Sequence, residues 1–472
     1  MLGLNTLRTA YVRSPRPVRR ILSPVLAALP VRYRFGGTYV SFRASIERSR
    51  QDTEFVRAWR RDHLRKLVSA AVSHAPHYRD LARTLGLSAA VIENFEVDDL
   101  RIFPVLTKDA LRGRAADFLT RPMDELDEVS TSGSSGTPLS FFLDKDRSAA
   151  EWAFVQDSWS KVGFSPKDIR AVFRGLHLQD VDRTPWEFEP SLGELRLSPF
   201  HLTDHWMNKY CALIARYNAS FLHGYPSALD IFASYVLRSK RTDIAGRVRG
   251  VLAISETLFD HQRARISLAF PNAKLTSFYG MSEKVLFGTE IPGRPATFEM
   301  EPLYGIAELV DDAGNRITEP GKKGRVVGTG LLLSGMPFIR YDTGDVGTLV
   351  EDANEGNRFR AVIAGIASRW GQEFLVGRGG QLISMTAINI HSGAYVKMAA
   401  FQFHQREPGR AALRAVLAAG STEADIVPFM NEISAKIGES ISFDLELVDE
   451  LTRNERGKSK FIDQRLDLRK FQ

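Results

Sequence analysis

A nine-residue stretch of hydroxyl-bearing residues, glycines and one proline, at residues 130–138, constrains this chain more than any other. It has no charge and no large side chain, so it can neither fill a core nor hold a regular helix. Strand-like runs flank it at residues 126–129 and 139–143. Because glycine permits positive φ and close backbone approach, a loop of this kind is typical of a phosphate-binding nest. The alternative is a flexible linker.

A strand rather than a helix follows this loop, which excludes a Walker-type phosphate loop. The stretch Gly457-Lys458-Ser459 is not a Walker motif either, because Thr452 stands where its first glycine would fall. The loop is therefore predicted to join two paired strands.

Length and composition predict a soluble globular protein. The 472 residues are 44% hydrophobic and 25% charged, and no apolar run is long enough to span a bilayer. The single cysteine, Cys211, excludes an internal disulfide and favours a reducing, cytoplasmic location.

The net charge of +7 is unevenly distributed, since the first 46 residues contain eight arginines and no acid. Three interpretations of this arm stay open: a solvated basic edge, a surface for an anionic membrane or an acidic partner, or an organelle transit peptide, which it resembles in being arginine-rich and free of acids. No nucleic-acid-reading motif is present.

The chain is predicted to be α/β. Apolar residues at helical spacing predict helices over residues 52–85, after an arginine-rich arm at residues 1–50. Strand-like and helical runs then alternate from residue 171 to 279, which predicts largely parallel pairing, and β character dominates from residue 306. We expect a large N-terminal domain, residues 1–368, with a β-rich subdomain, and a small α+β lid domain, residues 369–472.

Three further motifs carry candidate chemistry. The first is residues 279–283 (YGMSE), where Glu283 beside a phosphate loop is placed to bind Mg²⁺. The second is residues 340–345 (RYDTGD), where a carboxylate after a tight turn, Asp345, is a candidate for the ribose hydroxyls. The third is residues 453–460 (RNERGKSK), which places Lys458 after a glycine near the C-terminus. Each motif also has a purely structural interpretation. Residues 279–283 would then be a turn with a surface acid, residues 340–345 a hairpin turn and residues 453–460 a solvated basic terminus.

In this order, the four motifs resemble the signature series of the adenylate-forming superfamily of acyl-CoA ligases. The closer resemblance is to the phenylacetate-CoA ligase branch and its CapK-like, capsular-polysaccharide-biosynthesis members. Four other stretches support it: residues 74–79 (HAPHYR), 103–108 (FPVLTK), 224–228 (GYPSA) and 372–376 (QEFLV). Leu139 departs from many relatives outside this branch, which have lysine there.

The resemblance implies ATP-dependent activation of a carboxylic acid as an acyl-adenylate, followed by transfer to coenzyme A or another acceptor. It implies that Ser282 contacts the α phosphate, that Glu283 binds Mg²⁺, that Asp345 holds the ribose and that Lys458 reaches the α phosphate and the attacking carboxylate. The remaining nucleotide-binding residues that it implies are Thr131, Ser132, Gly133, Ser134, Ser135, Gly136, Thr137, Ser255, Glu256, Tyr279, Gly280 and Arg369. Two alternatives stay open: an adenylate-forming enzyme that transfers to a sugar, an amine or a carrier protein, and a non-catalytic nucleotide-binding subunit.

Overall fold

The computed structural model describes residues 18, 31–131, 139–176, 178, 181, 183–368, 374–384, 397–418, 420–451 and 462–471. Its α-helices are α1 (Val31–Ser49), α2 (Thr53–His74), α3 (Pro76–Leu85), α4 (Ala89–Glu93), α5 (Lys108–Leu111), α6 (Arg147–Ser160), α7 (Asp204–Arg216), α8 (Pro226–Arg238), α9 (Thr242–Ala245), α10 (Asp260–Ala269) and α11 (Val427–Ile437). Within these described ranges, no helix has the length and apolar character needed to cross a membrane.

The strands follow the same chain order. They are β1 (Leu126–Thr131), β2 (Leu139–Asp144), β3 (Arg170–Phe173), β4 (Trp186–Glu189), β5 (Glu194–Leu197), β6 (Phe221–Gly224), β7 (Gly250–Ala253), β8 (Lys274–Gly280), β9 (Phe287–Glu290), β10 (Thr297–Met300), β11 (Gly305–Val310), β12 (Arg316–Ile317), β13 (Lys323–Gly330), β14 (Tyr341–Glu351), β15 (Val362–Ser368), β16 (Phe374–Val376), β17 (Leu382–Ser384), β18 (Met398–Glu407), β19 (Arg410–Leu417), β20 (Ser442–Leu447) and β21 (Ile462–Gln464).

The chain divides into two compact units. Unit 1 comprises Met1–Glu47, Ser148–Ala253 and Asp260–Thr276, and unit 2 comprises Arg48–Arg147, Ile254–Phe259 and Ser277–Gln472. Whether residues 369–472 act as a separate lid stays a prediction.

Unit 1 contains a sheet in the order β7-β6-β3-β5-β4, parallel except for β4, which pairs antiparallel with β5. The Arg170 guanidinium lies in its interior, 2.6 Å from Glu194, with the Trp152 and Trp159 rings beside it. A buried charge needs such a partner, because an isolated ion in an apolar interior costs several kcal/mol. This ion pair therefore fixes β3 against β5.

Unit 2 contains an antiparallel sheet in the order β12-β11-β13-β14-β15-β10-β9-β8, together with the separate β1–β2 hairpin. Helices α2 and α3 pack on its core through Leu64, Val68 and Tyr78. The Tyr78 hydroxyl donates to Pro337 O at 3.0 Å and accepts from Ile339 N at 3.3 Å. The segment that leads into β14 is thereby held from the helical side.

The C-terminal part has a four-stranded sheet in the order β20-β19-β18-β21, with α11 beside it. Strands β18 and β19 are antiparallel, whereas β20 and β21 join them in parallel at the two edges. This mixture of strands and one helix agrees with the α+β character expected for residues 369–472.

Most predicted elements are present, with differences at particular places. The run at residues 99–106 predicts a short strand or an extended segment, but a 3-10 turn at Val97–Ile102 occupies its start, and Leu106 makes a single bridge to Tyr341. The sequence also predicts a break in the β structure around residues 364–372, which is wrong at its start, where β15 pairs with β14. Strands β4 and β5 went unpredicted because they carry glutamates that are buried here, Glu189 and Glu194.

Candidate active site

Glu283 and Tyr341 form a buried pair. Glu283 follows β8 and is 3% exposed, and Tyr341 begins β14 and is 0% exposed. The Tyr341 hydroxyl donates to Glu283 Oε1 at 2.5 Å. Burial, and then the charge of Glu283, raise the pKa of Tyr341 well above its usual value. Tyr341 therefore stays protonated and fixes one oxygen of the carboxylate.

Lys108 is the second group at this carboxylate, with its Nζ 3.5 Å from Glu283 Oε1. It is brought there by a parallel bridge between Leu106 and Tyr341, in which Leu106 N donates to Arg340 O at 2.9 Å. Thr107 then caps α5, its hydroxyl accepting from Ala110 N at 3.3 Å. Tyr341 and Lys108 therefore contact the same carboxylate oxygen of Glu283, Oε1.

Asp345 is held in the same way by Tyr279. The Tyr279 hydroxyl donates to Asp345 Oδ2 at 2.7 Å, and Asp345 N donates to Thr343 Oγ1 at 3.2 Å. Burial, and then the charge of Asp345, raise the pKa of Tyr279 well above its usual value. Glu283 raises the Tyr279 pKa further, so the two tyrosine–carboxylate pairs form one electrostatic cluster.

Gly344 leaves space in this cluster. Its φ is 86°, a left-handed conformation that disfavours other residues, and a Cβ placed there would lie 3.9 Å from Lys108 Nζ. A side chain at position 344 would therefore strain the turn before Asp345, although its Cβ would make only an ordinary van der Waals contact with the ammonium group.

The β1–β2 hairpin carries the phosphate-loop motif and is anchored at its base. Its register runs from Leu126↔Asp144 to Thr131↔Leu139. Asp144 accepts from Ser334 N at 2.9 Å, and the Phe141 ring lies 6.0 Å from that of Phe338. Phe338 in turn contacts Tyr341, 5.0 Å between ring centroids. The strands that flank the loop are thus packed onto the segment that bears the Glu283 partner.

Strained backbone occurs beside three of the predicted segments. Ser255, Lys284 and Arg340 have φ of 65°, 57° and 48°, in the left-handed region that L-residues with a Cβ seldom adopt. Such strain costs on the order of 1–3 kcal/mol and persists only where the surroundings impose it.

At Arg340 the contacts that impose this backbone conformation are visible. The buried guanidinium donates to Phe103 O at 2.9 Å and Gly314 O at 3.0 Å, and lies 3.2 Å from Glu308. Three separate segments therefore fix the residue immediately before Tyr341.

Not every predicted site residue is in the described part of the chain. Thr131 ends β1, Gly280 ends β8 and Ser282 is half-buried between Gly280 and Glu283. Ser255 and Glu256 lie in the turn between β7 and α10, and their place beside adenine stays a prediction. The residues that lie outside the described ranges are Ser132, Gly133, Ser134, Ser135, Gly136, Thr137, Arg369 and Lys458.

Comparison with solved structures identifies the fold. The chain aligns with 2-hydroxyisobutyryl-CoA ligase in complex with 2-HIB-AMP and CoA in the thioesterification state, with a TM-score of 0.53, 18% identity, and coverage of 88% of this chain and 91% of that one. The same ligase in the postadenylation state gives a TM-score of 0.51, 19% identity and 89% and 92% coverage. The chain shares the fold of this acyl-CoA ligase.

Sequence comparison points the same way. No protein-family model matches the chain. A curated relative, Protein CapK of Staphylococcus aureus, is 22% identical over 394 residues, covering 81% of this chain and 84% of that protein. The structural alignments confirm the predicted α/β fold class.

Among the described residues, no group of three or more His, Cys, Asp or Glu side chains is arranged to hold a metal. Mg²⁺ is commonly bound through one or two carboxylates together with substrate phosphates and water. The magnesium-binding role of Glu283 stays a prediction.

Sequence reasoning missed the roles of Lys108 and Tyr341, although both lie in stretches that were singled out. Lys108 belongs to the FPVLTK stretch, where Thr107 is a recognisable N-cap. No local pattern indicates that this turn pairs with a residue more than two hundred positions later. Tyr341 stands between Arg340 and Asp342, and its direction toward Glu283 depends on the pairing of β14.

Proposed function

We propose that this chain is an ATP-dependent, AMP-forming acid ligase, which activates a carboxylic acid as its acyl-adenylate and passes the acyl group to coenzyme A or another acceptor. The observation that carries the proposal is the pair of anchored carboxylates, Glu283 on Tyr341 and Asp345 on Tyr279. Each lies in a motif whose order along the chain matches the superfamily. The location that fits this activity is the cytoplasm.

Glu283 would hold the metal of Mg·ATP through Oε2, while Tyr341 and Lys108 keep Oε1 fixed. Bound Mg²⁺ would supply charge neutralisation on the phosphates. Fixing the carboxylate beforehand matters because catalysis by electrostatics requires groups that do not reorganise during the reaction.

Lys108 would contribute a positive charge at the phosphate side of the site. Its ammonium is half-exposed and lies at the Glu283 end of the cluster. With Leu139 in place of the lysine found after the loop in many relatives, a cation from α5 would contact the phosphates instead.

Asp345 would accept hydrogen bonds from the ribose hydroxyls, and residues 131–137 would surround the outer phosphates. Lys458 would stabilise the charge that develops as the acid attacks the α phosphate, and Arg369 would lie near the ribose or phosphate. In-line attack at phosphorus depends on positioning and charge neutralisation more than on proton transfer.

The relatives guide the choice of acid and acceptor. The solved structures are of a ligase with an acyl-adenylate and CoA, which supports coenzyme A as the acceptor here. The CapK relative supports a role in capsular polysaccharide biosynthesis. The resemblance to the phenylacetate-CoA ligase branch makes aryl acids part of the first test panel.

The test is ATP–pyrophosphate exchange over a panel of carboxylic acids, because exchange reports the first half-reaction whatever the acceptor. We expect exchange with at least one acid, and its loss in Lys458→Ala with ATP binding retained. Lys460→Ala, which removes a neighbouring charge, is the matched control and should stay active. Calorimetric ATP binding without exchange on any acid would favour the non-catalytic nucleotide-binding alternative instead.

A further inference from the structure

A polar cavity of about 600 Å³ opens in unit 1 at the amino ends of β3, β6 and β7. Its lining comes from the residues just before these strands, together with the turn after α9. Ligands of open α/β sheets bind at the carboxyl ends of the strands, which here are Phe173, Gly224 and Ala253. The cavity is therefore at the opposite edge of its sheet from the usual ligand site.

Backbone hydrogen bonds give this cavity an ordered floor. Ser220 N donates to Ile169 O at 3.1 Å, and Arg249 N donates to Ser220 O at 2.8 Å. The lining side chains thus project from a continuous strand ladder rather than from independent loops.

The charges in the lining are not balanced. Asp168 is paired with Arg249 at 2.6 Å, and Asp243 is paired with Arg241 at 2.8 Å. Two lining cations, Lys167 and Arg247, have no carboxylate partner among the described residues. The cavity therefore has surplus positive charge.

Two arginines are held in place before any ligand arrives. Arg247 Nη1 donates to Asn218 Oδ1 at 2.6 Å, while Arg247 Nε is buried without a hydrogen-bond partner. Arg249 Nη2 donates to both Asp168 and Ser220, and its guanidinium lies 5.2 Å from the Phe221 ring centroid. Guanidinium groups oriented in this way are suited to phosphate, whose oxygens accept paired N–H donors.

Asn218 is held by the C-terminal cap of α7. Its φ is 52°, the left-handed conformation common just after a helix, and Ala219 N donates to Ile214 O at 3.0 Å. The cap fixes the backbone of Asn218, whose side-chain oxygen is the acceptor that orients Arg247.

We propose that this cavity binds a phosphate group, with Lys167 and Arg247 supplying the charge and Asn218 orienting Arg247. The phosphate belongs either to a small soluble phosphate ester or to a lipid headgroup. The site lies within unit 1 and does not depend on the proposed ligase activity.

The test compares the full-length wild type with Lys167→Gln/Arg247→Gln. The matched control is Lys209→Gln/Arg216→Gln, which removes the same charge elsewhere in unit 1. The probes are inorganic phosphate, measured by calorimetry, and phosphatidylcholine vesicles with or without phosphatidic acid, measured by co-sedimentation. Because the cavity variant loses two positively charged hydrogen-bond donors, we expect it to bind its probe at least about tenfold more weakly than the control.

If the cavity variant binds inorganic phosphate more weakly but vesicles as the control does, the ligand is a soluble phosphate ester. If it also binds the phosphatidic acid vesicles more weakly, the ligand is a lipid headgroup. Wild-type binding by the cavity variant, or an equal loss in the control, overturns the proposal. Asn218→Gly tests the orienting role, because glycine adopts positive φ without strain. We expect it to fold normally and to bind several-fold more weakly, and unchanged binding would overturn that role.

Discussion

Replacing Tyr341 with Phe tests whether the buried hydroxyl prepares Glu283 for a metal. The substitution deletes one oxygen and keeps the ring that packs on Phe338. Since Tyr341 is 0% and Glu283 3% exposed, water has little access to replace the lost donor. A hydrogen bond to a charged group contributes about 1.5–3 kcal/mol, so the loss is large for a single atom.

Two effects on the carboxylate oppose each other. Without the hydroxyl, one hydrogen-bond donor fewer competes with a cation for the Glu283 carboxylate, which favours cation binding. The carboxylate also loses its fixed direction, and Lys108, now 3.5 Å from Oε1, is able to close onto it. We expect loss of orientation to dominate because the neutral hydroxyl changes the charge little. The Mg²⁺ concentration for half-maximal ATP binding should rise about tenfold, equivalent to about 1.4 kcal/mol.

The assay is calorimetry of ATP binding at a series of Mg²⁺ concentrations, which requires no knowledge of the acid. Tyr78→Phe is the matched control, because it removes a buried hydroxyl bonded to backbone groups only, Pro337 O and Ile339 N. Both variants should lose stability in urea, but only Tyr341→Phe should change the Mg²⁺ dependence. An unchanged Mg²⁺ dependence beside a normal loss of stability would refute this reasoning.

Three further predictions follow from single contacts. Lys108→Met should weaken ATP binding about tenfold. The urea midpoint should change little, because the half-exposed ammonium of Lys108 contributes little to folding. Lys66→Met, on the exposed surface of α2, is the control. Arg170→Met should destabilise unit 1 by about 3 kcal/mol, measured by tryptophan fluorescence in urea, because Glu194 loses its closest partner. Burial acts to raise the pKa of Glu194, but the charges of Arg170 and Arg196 outweigh it and leave the pKa below 4.5. The difference in the free energy of unfolding between Arg170→Met and the wild type should therefore shrink as the pH falls below 4.5. Burial raises the pKa of Cys211 to about 11, so a thiol reagent at pH 8 should modify this residue only after unfolding, and rapid labelling of the folded chain would contradict its burial.

The sequence was sufficient to predict the strands and helices whose local pattern of apolar residues and caps is typical of their secondary structure. The runs at residues 126–129 and 139–143 are apolar enough to indicate strands, and they pair as β1 and β2. The helices at α2 and α3 have regular apolar spacing, a side-chain cap at Asp52 and a left-handed Gly86 at the C-terminus of α3.

Features that depend on distant partners could not be predicted in this way. Glu194 looks like a surface residue until Arg170 is placed 2.6 Å away. The position of Lys108 depends on the bridge from Leu106 to Tyr341. Sequence motifs therefore singled out the carboxylates of Glu283 and Asp345, but not the tyrosines and the lysine that contact them.

Strands β1 and β2 pair without a register shift up to Thr131 and Leu139, which has a practical consequence for engineering. Thr131 and Leu139 are directly paired, so they form natural junctions for exchanging the intervening segment as a cassette. Insertions or deletions between these residues leave the strand pairing intact, whereas a one-residue insertion within either strand would turn every later side chain to the opposite face. Libraries that vary the segment between positions 131 and 139 should therefore keep both strands constant.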